Sequence, residues 1–417
     1  MRRLLPTFFV LTLAAIAAPP RGATRWVGSW ASAQMATGPN DRLPDALPAA
    51  TLHDFTLREI VHLSIGGSQL RVRLANDFSA EPLRIAAVHV ARSRSLTTGE
   101  IDPATDRALT FAGRDAVAIP AGAEYVSDPV ALAMPARSDL AVTLYFAAPP
   151  ASQTTHPGSH ADSYLAAGNQ LSAAVLQSAQ PVEHWYFLAA VDVRTAARAA
   201  RAIVCLGDSI TDGHASTLNG NDRWPDDLAA RLQASAATRE VGVLNEGIGG
   251  NRVLLDGAGP NALARFDRDV LGQSGARYLI VLEGINDLGV LTHAQPMPSA
   301  DHERMVRRLI AAYEQIVLRA HAHGLKVMGA TITPDGGANY YHPGPVADTD
   351  RQAINAWIRA PGHFDAVVDF DRAIRDPAQP ERMLPVYDSG DHLHPSPAGY
   401  KAMAAAIPLA FFARTSR

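Results

Sequence analysis

One cysteine, Cys205, stands in a chain of 417 residues. No internal disulfide can form, so the fold must be held by its cores, which is normal at this length. Charge is modest too: 19% of residues are Asp, Glu, Lys or Arg, the net charge is −4, and no long basic run occurs. That excludes the electrostatic footprint of a nucleic-acid binder. Beyond the N-terminus no apolar stretch reaches transmembrane length. No ligand cluster with clear metal spacing stands out, and no cofactor is called for.

What is present suffices for ordinary globular cores, with 47% hydrophobic residues, and the length suggests two or three domains. Met1-Arg2-Arg3, the apolar LLPTFFVLTLAAIAA and the small residues up to APPRGA have the layout of a secretory signal peptide. We expect it over residues 1–23, with cleavage near Ala17 to Ala23. A secreted or periplasmic location follows, with no stable membrane insertion after cleavage. An N-terminal anchor is the rival reading, but the run is short for a span.

Residues 24–198 carry short alternating strands. In IVHLSI, Val61, Leu63 and Ile65 share one face. Gly66-Gly67 can turn the chain, and LRVRL returns with Leu70, Val72 and Leu74 inward and Arg71 and Arg73 outward. That pattern predicts a hairpin. LRIAAVHV and DLAVTLYF repeat the style, so an all-β sandwich or jelly-roll-like module is expected.

From residue 199 to 417 the texture changes. AIVCL, VGVLN, YLIVLEG, LKVMGATI and FDAVVDF read as strands separated by helical patterns. One helix is predicted from Trp224 to Ala236. Another spans 302–323, with Met305, Leu309, Tyr313, Ile316 and Ala320 on one face and Gly324 as its stop. A last helix opens on Ser396 and Pro397. Such alternation predicts an α/β domain with a parallel sheet covered on both faces. Cys205 falls inside the first strand and reads as a small buried hydrophobe.

The first strand ends abruptly in Gly207-Asp208-Ser209. Such a turn can be mere punctuation. It can also display a nucleophile, which needs a base, an orienting acid and fixed donors for an oxyanion. Asp391 and His394, three residues apart in DSGDHLHPS, can supply acid and base. Their rival role is metal binding, through the His392-x-His394 pair. VLNEGIGGN offers the backbone N–H of Gly250, with Gly249 a close competitor in register. VLEGINDLG offers the side-chain amide of Asn286. Each lies at a strand end, where functional groups of such sheets gather.

These four blocks, Gly207-Asp208-Ser209, Asn245 through Gly250, Gly284 through Asp287 and Asp391 through His394, resemble the SGNH/GDSL hydrolases in kind and order. The likeness runs from about Ala202 to the C-terminus. The Gly-x-Ser-x-Gly elbow of α/β-hydrolases is not what surrounds Ser209. The resemblance implies a flavodoxin-like three-layer α/β/α fold and an ester hydrolase without a cofactor. It makes Ser209 the nucleophile, His394 the base and Asp391 its partner. Ser209 N–H, Gly250 N–H and Asn286 become the oxyanion hole. WVGSWASAQ and LRVRLAND, more loosely, resemble the N-terminal portion of bacterial members, some of which act on acetylated plant polysaccharides.

Acetylated polysaccharide or oligosaccharide is therefore the expected partner. A broad short-chain or aryl esterase is the second reading, and a non-catalytic carbohydrate-binding protein a third. Tyr340 and Tyr341, in the loop DGGANYYHPG, are candidates to stack on a sugar or aryl group. Trp224, in DRWPDDL, reads as packing at the start of its helix.

Overall fold

The computed structural model describes residues 25–38, 43, 54–197, 199–294 and 297–413. The expected signal peptide lies outside the described residues.

Up to Thr195 the chain is almost entirely antiparallel. The order of a six-stranded sheet is 180–183, 162–167, 55–63, 138–146, 87–92 and 107–109. A four-stranded sheet has the order 25–31, 188–195, 69–75 and 124–126. Alternate residues of both face one core: Val61, Leu63, Leu70, Val72 and Leu74 are all buried in it.

The predicted hairpin through Gly66-Gly67 does not form. Strand 55–63 pairs with 138–146 and 162–167, whereas 69–75 pairs with 188–195 and 124–126. The alternation was right, but the two strands meet across the core rather than along a ladder. The glycines serve a close crossing instead. A Cβ on Gly66 would sit 2.4 Å from the Met134 carbonyl oxygen, and one on Gly67 2.8 Å from that of Arg194.

After Arg201 a five-stranded parallel sheet takes over. Its strands are β1 (Arg201–Gly207), β2 (Val241–Gly247), β3 (Ala276–Leu282), β4 (Lys326–Ala330) and β5 (Ala366–Val368). Their spatial order is β2-β1-β3-β4-β5, the flavodoxin-like arrangement, with its switch point between β1 and β3. The strand centres are apolar because helices cover the sheet. The main ones are α1 (Ser209–Asp212), α2 (Trp224–Gln233), α3 (Ala262–Phe266), α4 (Ile285–Gly289), α5 (Ser299–Ala322), α6 (Pro345–Arg359), α7 (Phe370–Ile374) and α8 (Pro397–Ala406).

The anticipated buried face of α5 is buried, and Gly324 follows its end at φ +74°. Ser396 caps α8 by accepting from Gly399 N–H, with Pro397 in the first turn. Trp224 starts α2 and packs against Phe370. Cys205 is buried, and burial pushes its thiol pKa up. No helix among the described residues is long and apolar enough to cross a membrane.

The two parts share one continuous apolar core. Arg71 and Arg73, expected to point outward, reach the second part instead. Arg71 ion-pairs with Asp192 and donates to Ser274 Oγ at 3.2 Å, and Arg73 donates to the Gly272 carbonyl at 3.1 Å. Gly28 N–H also donates to Ser274 O, and Val243 N–H to Ser64 Oγ.

Candidate active site

Strands β1, β2 and β3 end level, with Gly207 opposite both Gly247 and Leu282. The three polar turns that follow are therefore side by side. Asp208 caps α1 by accepting from Ile210 N–H at 2.9 Å, which places Ser209 in the first helical turn, 8% exposed. The fourth block comes from the far end of the chain, just before α8.

There, Asp391 folds its own segment. One carboxylate oxygen accepts from the N–H groups of Leu393 (2.9 Å) and His394 (2.8 Å), a turn its short side chain favours. The other oxygen lies 2.6 Å from His394 Nδ1. His394 Nε2 lies 2.8 Å from Ser209 Oγ. Since a carboxylate only accepts, Nδ1 carries the proton and Nε2 is left to accept from the serine. Burial would raise the Asp391 pKa, but the His394 hydrogen bond and the two backbone N–H groups outweigh it and hold it well below its usual value.

Three residues that carry the expected donors line the same cleft from different turns. Ser209 N–H and Gly250 N–H make no hydrogen bond among the described residues. Gly249 N–H, by contrast, is taken by Asp212 Oδ2 at 3.0 Å. Gly250 sits at φ +73°, where a side chain would be strained. Asn286 Nδ2 donates one hydrogen to Asn251 O at 2.7 Å and keeps a second.

All these groups line one cleft of about 750 Å³. Tyr340 and Tyr341 line it too, but they differ. Tyr340 is 60% exposed at the rim, braced by His293, whose ring lies 4.6 Å away. Tyr341 is 5% exposed, and its hydroxyl donates to Asn286 Oδ1 at 2.7 Å, fixing which way that amide faces.

Two residues carried no sequence signal. His214 stacks near His394, with ring centroids 4.1 Å apart, and donates its backbone N–H to Ser209 O. Burial, then the neighbouring His394, lowers its pKa. Arg265, fully buried, donates to the carbonyls of Gly207 and Glu246 and to Asn251 Oδ1, tying two strand ends to the Gly250 loop. Around it, burial pushes Glu246 and Glu283 well above the usual carboxylate range.

The rival metal reading rested on His392. That residue turns away, with Nδ1 2.6 Å from Asp388 Oδ2. His214, Asp391 and His394 do have ligand atoms within 4.8 Å of one another. Both ring nitrogens of His394 already face Asp391 and Ser209, so a cation there would displace one of them.

A parallel sheet in this order, with a serine, histidine and aspartate in hydrogen-bonded sequence beside convergent donors, defines the class of serine-dependent acyl hydrolases. The comparison of the sequence with protein families agrees: residues 205–402 match the GDSL-like Lipase/Acylhydrolase family. The chain thus carries a GDSL-like lipase/acylhydrolase domain and is a carboxylic ester hydrolase.

Solved structures similar to it include a G-D-S-L family lipolytic protein from Desulfitobacterium hafniense DCB-2, at 20% identity over 49% of this chain and 96% of that one, TM-score 0.37. A GDSL-like lipase from Bacteroides thetaiotaomicron is 18% identical over 49% and 85%, TM-score 0.36. An acetylxylan esterase from Geobacillus stearothermophilus is 21% identical over 49% and 91%, TM-score 0.37. No curated protein sequence matches the chain.

Proposed function

We propose that the protein is an exported esterase that cleaves short acyl groups, acetyl above all, from a carbohydrate by way of an acyl-enzyme on Ser209. The observation that carries the chemistry is the unbroken Ser209–His394–Asp391 chain of hydrogen bonds opening onto the cleft. Ser209 Oγ attacks the ester carbonyl carbon as its proton passes to His394 Nε2. The resulting oxyanion is held by the N–H groups of Ser209 and Gly250 and by the Asn286 amide. The carbon–oxygen bond to the alcohol breaks as His394 returns the proton to the leaving oxygen. Water then attacks the acyl-enzyme with His394 again as base. Asp391 holds the imidazole in the required tautomer.

The substrate reading rests on the shape of the cleft. It is wide, and small residues, Gly249, Gly257 and Ala258, line it together with Ser209, Leu393 and the two tyrosines. That leaves room for a small acyl group on a bulky alcohol. Arg252 and Asn339 offer polar contacts, and the exposed Tyr340 ring offers a flat face to a sugar. Export is supported by the N-terminal residues alone. Tyr340 would stack equally well on an aryl group, which keeps a short-chain aryl esterase as the second reading.

Acetate release from acetylated xylan, measured beside p-nitrophenyl acetate and longer p-nitrophenyl esters, tests both. Cleavage of the polysaccharide supports the first. Cleavage of the small esters alone leaves the chemistry and removes the carbohydrate. Activity lost to a chelator and restored by a metal would overturn the serine mechanism.

A further inference from the structure

The loop Ile248–Asn251 presents Gly250, so its shape sets the direction of one oxyanion donor. Asn251 N–H donates to Ile248 O at 3.0 Å and closes the loop on itself. Ile248 N–H donates to Gly207 O at 3.0 Å, and Asn251 is held by Arg265 and Asn286. Gly249, next to Gly250, is held by its N–H donated to Asp212 Oδ2. Asp212 stands three residues after Ser209, at the end of α1, and is 5% exposed.

The other oxygen of Asp212 is held from the antiparallel part of the chain. His156 Nε2 lies 2.9 Å from Asp212 Oδ1, and His156 Nδ1 lies 2.7 Å from Ala33 O. Ala33 O only accepts, so the ring carries a hydrogen on Nδ1 and its Nε2 is paired with the Asp212 carboxyl. It is 2% exposed and stacks on Trp185, with centroids 5.7 Å apart. The chain just beyond it presses on the same carboxylate: a Cβ on Gly158 would lie 2.0 Å from Asp212 Oδ2.

Burial pulls the His156 pKa down, but the Asp212 charge, its hydrogen bond and that to Ala33 raise it above its ordinary value, with Arg223 opposing. Burial pushes the nearby His160 down to about 4 and His184 to about 3, so neither competes as a cation.

We propose that His156 is a positioning residue for the reaction at Ser209, acting through Asp212 on the Ile248–Gly249 peptide and so on the direction of the Gly250 N–H that follows it. The antiparallel part thereby completes the oxyanion hole of a site whose other members all lie in the α/β part. This rests on the reading of Gly250 as an oxyanion donor.

The test compares His156→Ala, His156→Gln, Asp212→Ala and Asp212→Asn with the wild type on p-nitrophenyl acetate. Rates are expressed per active serine, titrated with a fluorophosphonate, and Ser209→Ala serves as the control. In Asp212→Asn the amide oxygen can still accept from Gly249, and its NH2 can donate to a neutral His156. We expect His156→Ala and Asp212→Ala to lower kcat about 10- to 100-fold with KM changed less than about twofold. Asp212→Asn and His156→Gln should recover most of that loss.

Wild-type kcat per active serine in Asp212→Ala and in the histidine variants would overturn the proposal, even if their melting temperatures fell. So would equal losses in Asp212→Asn and Asp212→Ala. If His156→Ala does not fold, His156→Gln and the two Asp212 variants decide the matter. An active Ser209→Ala would instead overturn the serine mechanism beneath the proposal.

Discussion

His394 Nε2 meets Ser209 Oγ at 2.8 Å across 185 residues of chain. The serine stands after β1, near the middle of the sheet, and the histidine stands just before α8. Nothing local to either residue enforces this contact; the packing of α8 beside α2 and α7 does. Ser209→Ala removes only a hydroxyl at the surface of the cleft. We expect it to fold with an unchanged melting temperature and to lose several orders of magnitude in kcat. Turnover near the wild-type rate would sink the nucleophile.

Asp391→Asn keeps the shape but removes the acceptor that sets the imidazole tautomer. A loss of order 10³- to 10⁴-fold in kcat is expected. Stability provides a second check. The folded-state pKa of Asp391 is depressed, so its stabilising contribution is present above the ordinary aspartate pKa and is lost as pH falls through the folded value. The melting-temperature gap between wild type and Asp391→Asn should therefore be open at pH 7 and narrow below about pH 4. A gap that stayed constant into strong acid would count against the assignment.

The Asn286 amide is oriented by two partners, the Asn251 carbonyl and the Tyr341 hydroxyl. Asn286→Ala should cost about 10²- to 10³-fold in kcat. Tyr341→Phe keeps the packed ring and loses only the hydroxyl, so a loss of about tenfold, with little change in KM, is expected from looser aiming. An unaffected Tyr341→Phe would mean that Asn251 alone fixes the amide.

Asp208 gives the fold a pH dependence of the opposite sign. Burial, then the charge of Asp287, outweighs the Ile210 N–H and Arg265 and pushes its carboxyl up to about 7. Between the ordinary value near 4 and about 7, the unfolded chain releases this proton while the folded chain keeps it. Stability should therefore fall as pH rises through that window. Asp208→Asn keeps an acceptor for Ile210 N–H and should flatten the fall. Parallel melting curves for the two proteins from pH 4 to 8 would refute this.

Arg265 is a buried cation that pairs with Glu283 and shares Asp269 with Arg268. Arg265→Met should cost about 3–5 kcal/mol of stability, because it removes the cation beside Glu283 and leaves the buried oxygens of Gly207, Glu246 and Asn251 without its donors. Denaturant titration would measure it, and a change under about 1 kcal/mol would show that Arg265 does not hold these groups together.

The sequence by itself determined the parts of this protein whose physics is local. Five apolar runs broken by helical periods are enough for a covered parallel sheet. The polar turns at Ser209, Gly250 and Asn286 were legible because each directly follows its strand. Asp391 and His394 were legible because an aspartate three residues before a histidine can fold its own turn. Tertiary structure decided what depends on which strand or side chain comes alongside. Alternation from Val61 to Leu74 shows which faces are apolar but not which strand each one pairs with, so the hairpin at Gly66-Gly67 was a false expectation. Tyr341 became an orienting group rather than an open platform because the fold buried it against Asn286. Arg265, His214 and the His156–Asp212 pair have no motif, since a buried charge is identified by what surrounds it and its surroundings come from distant segments.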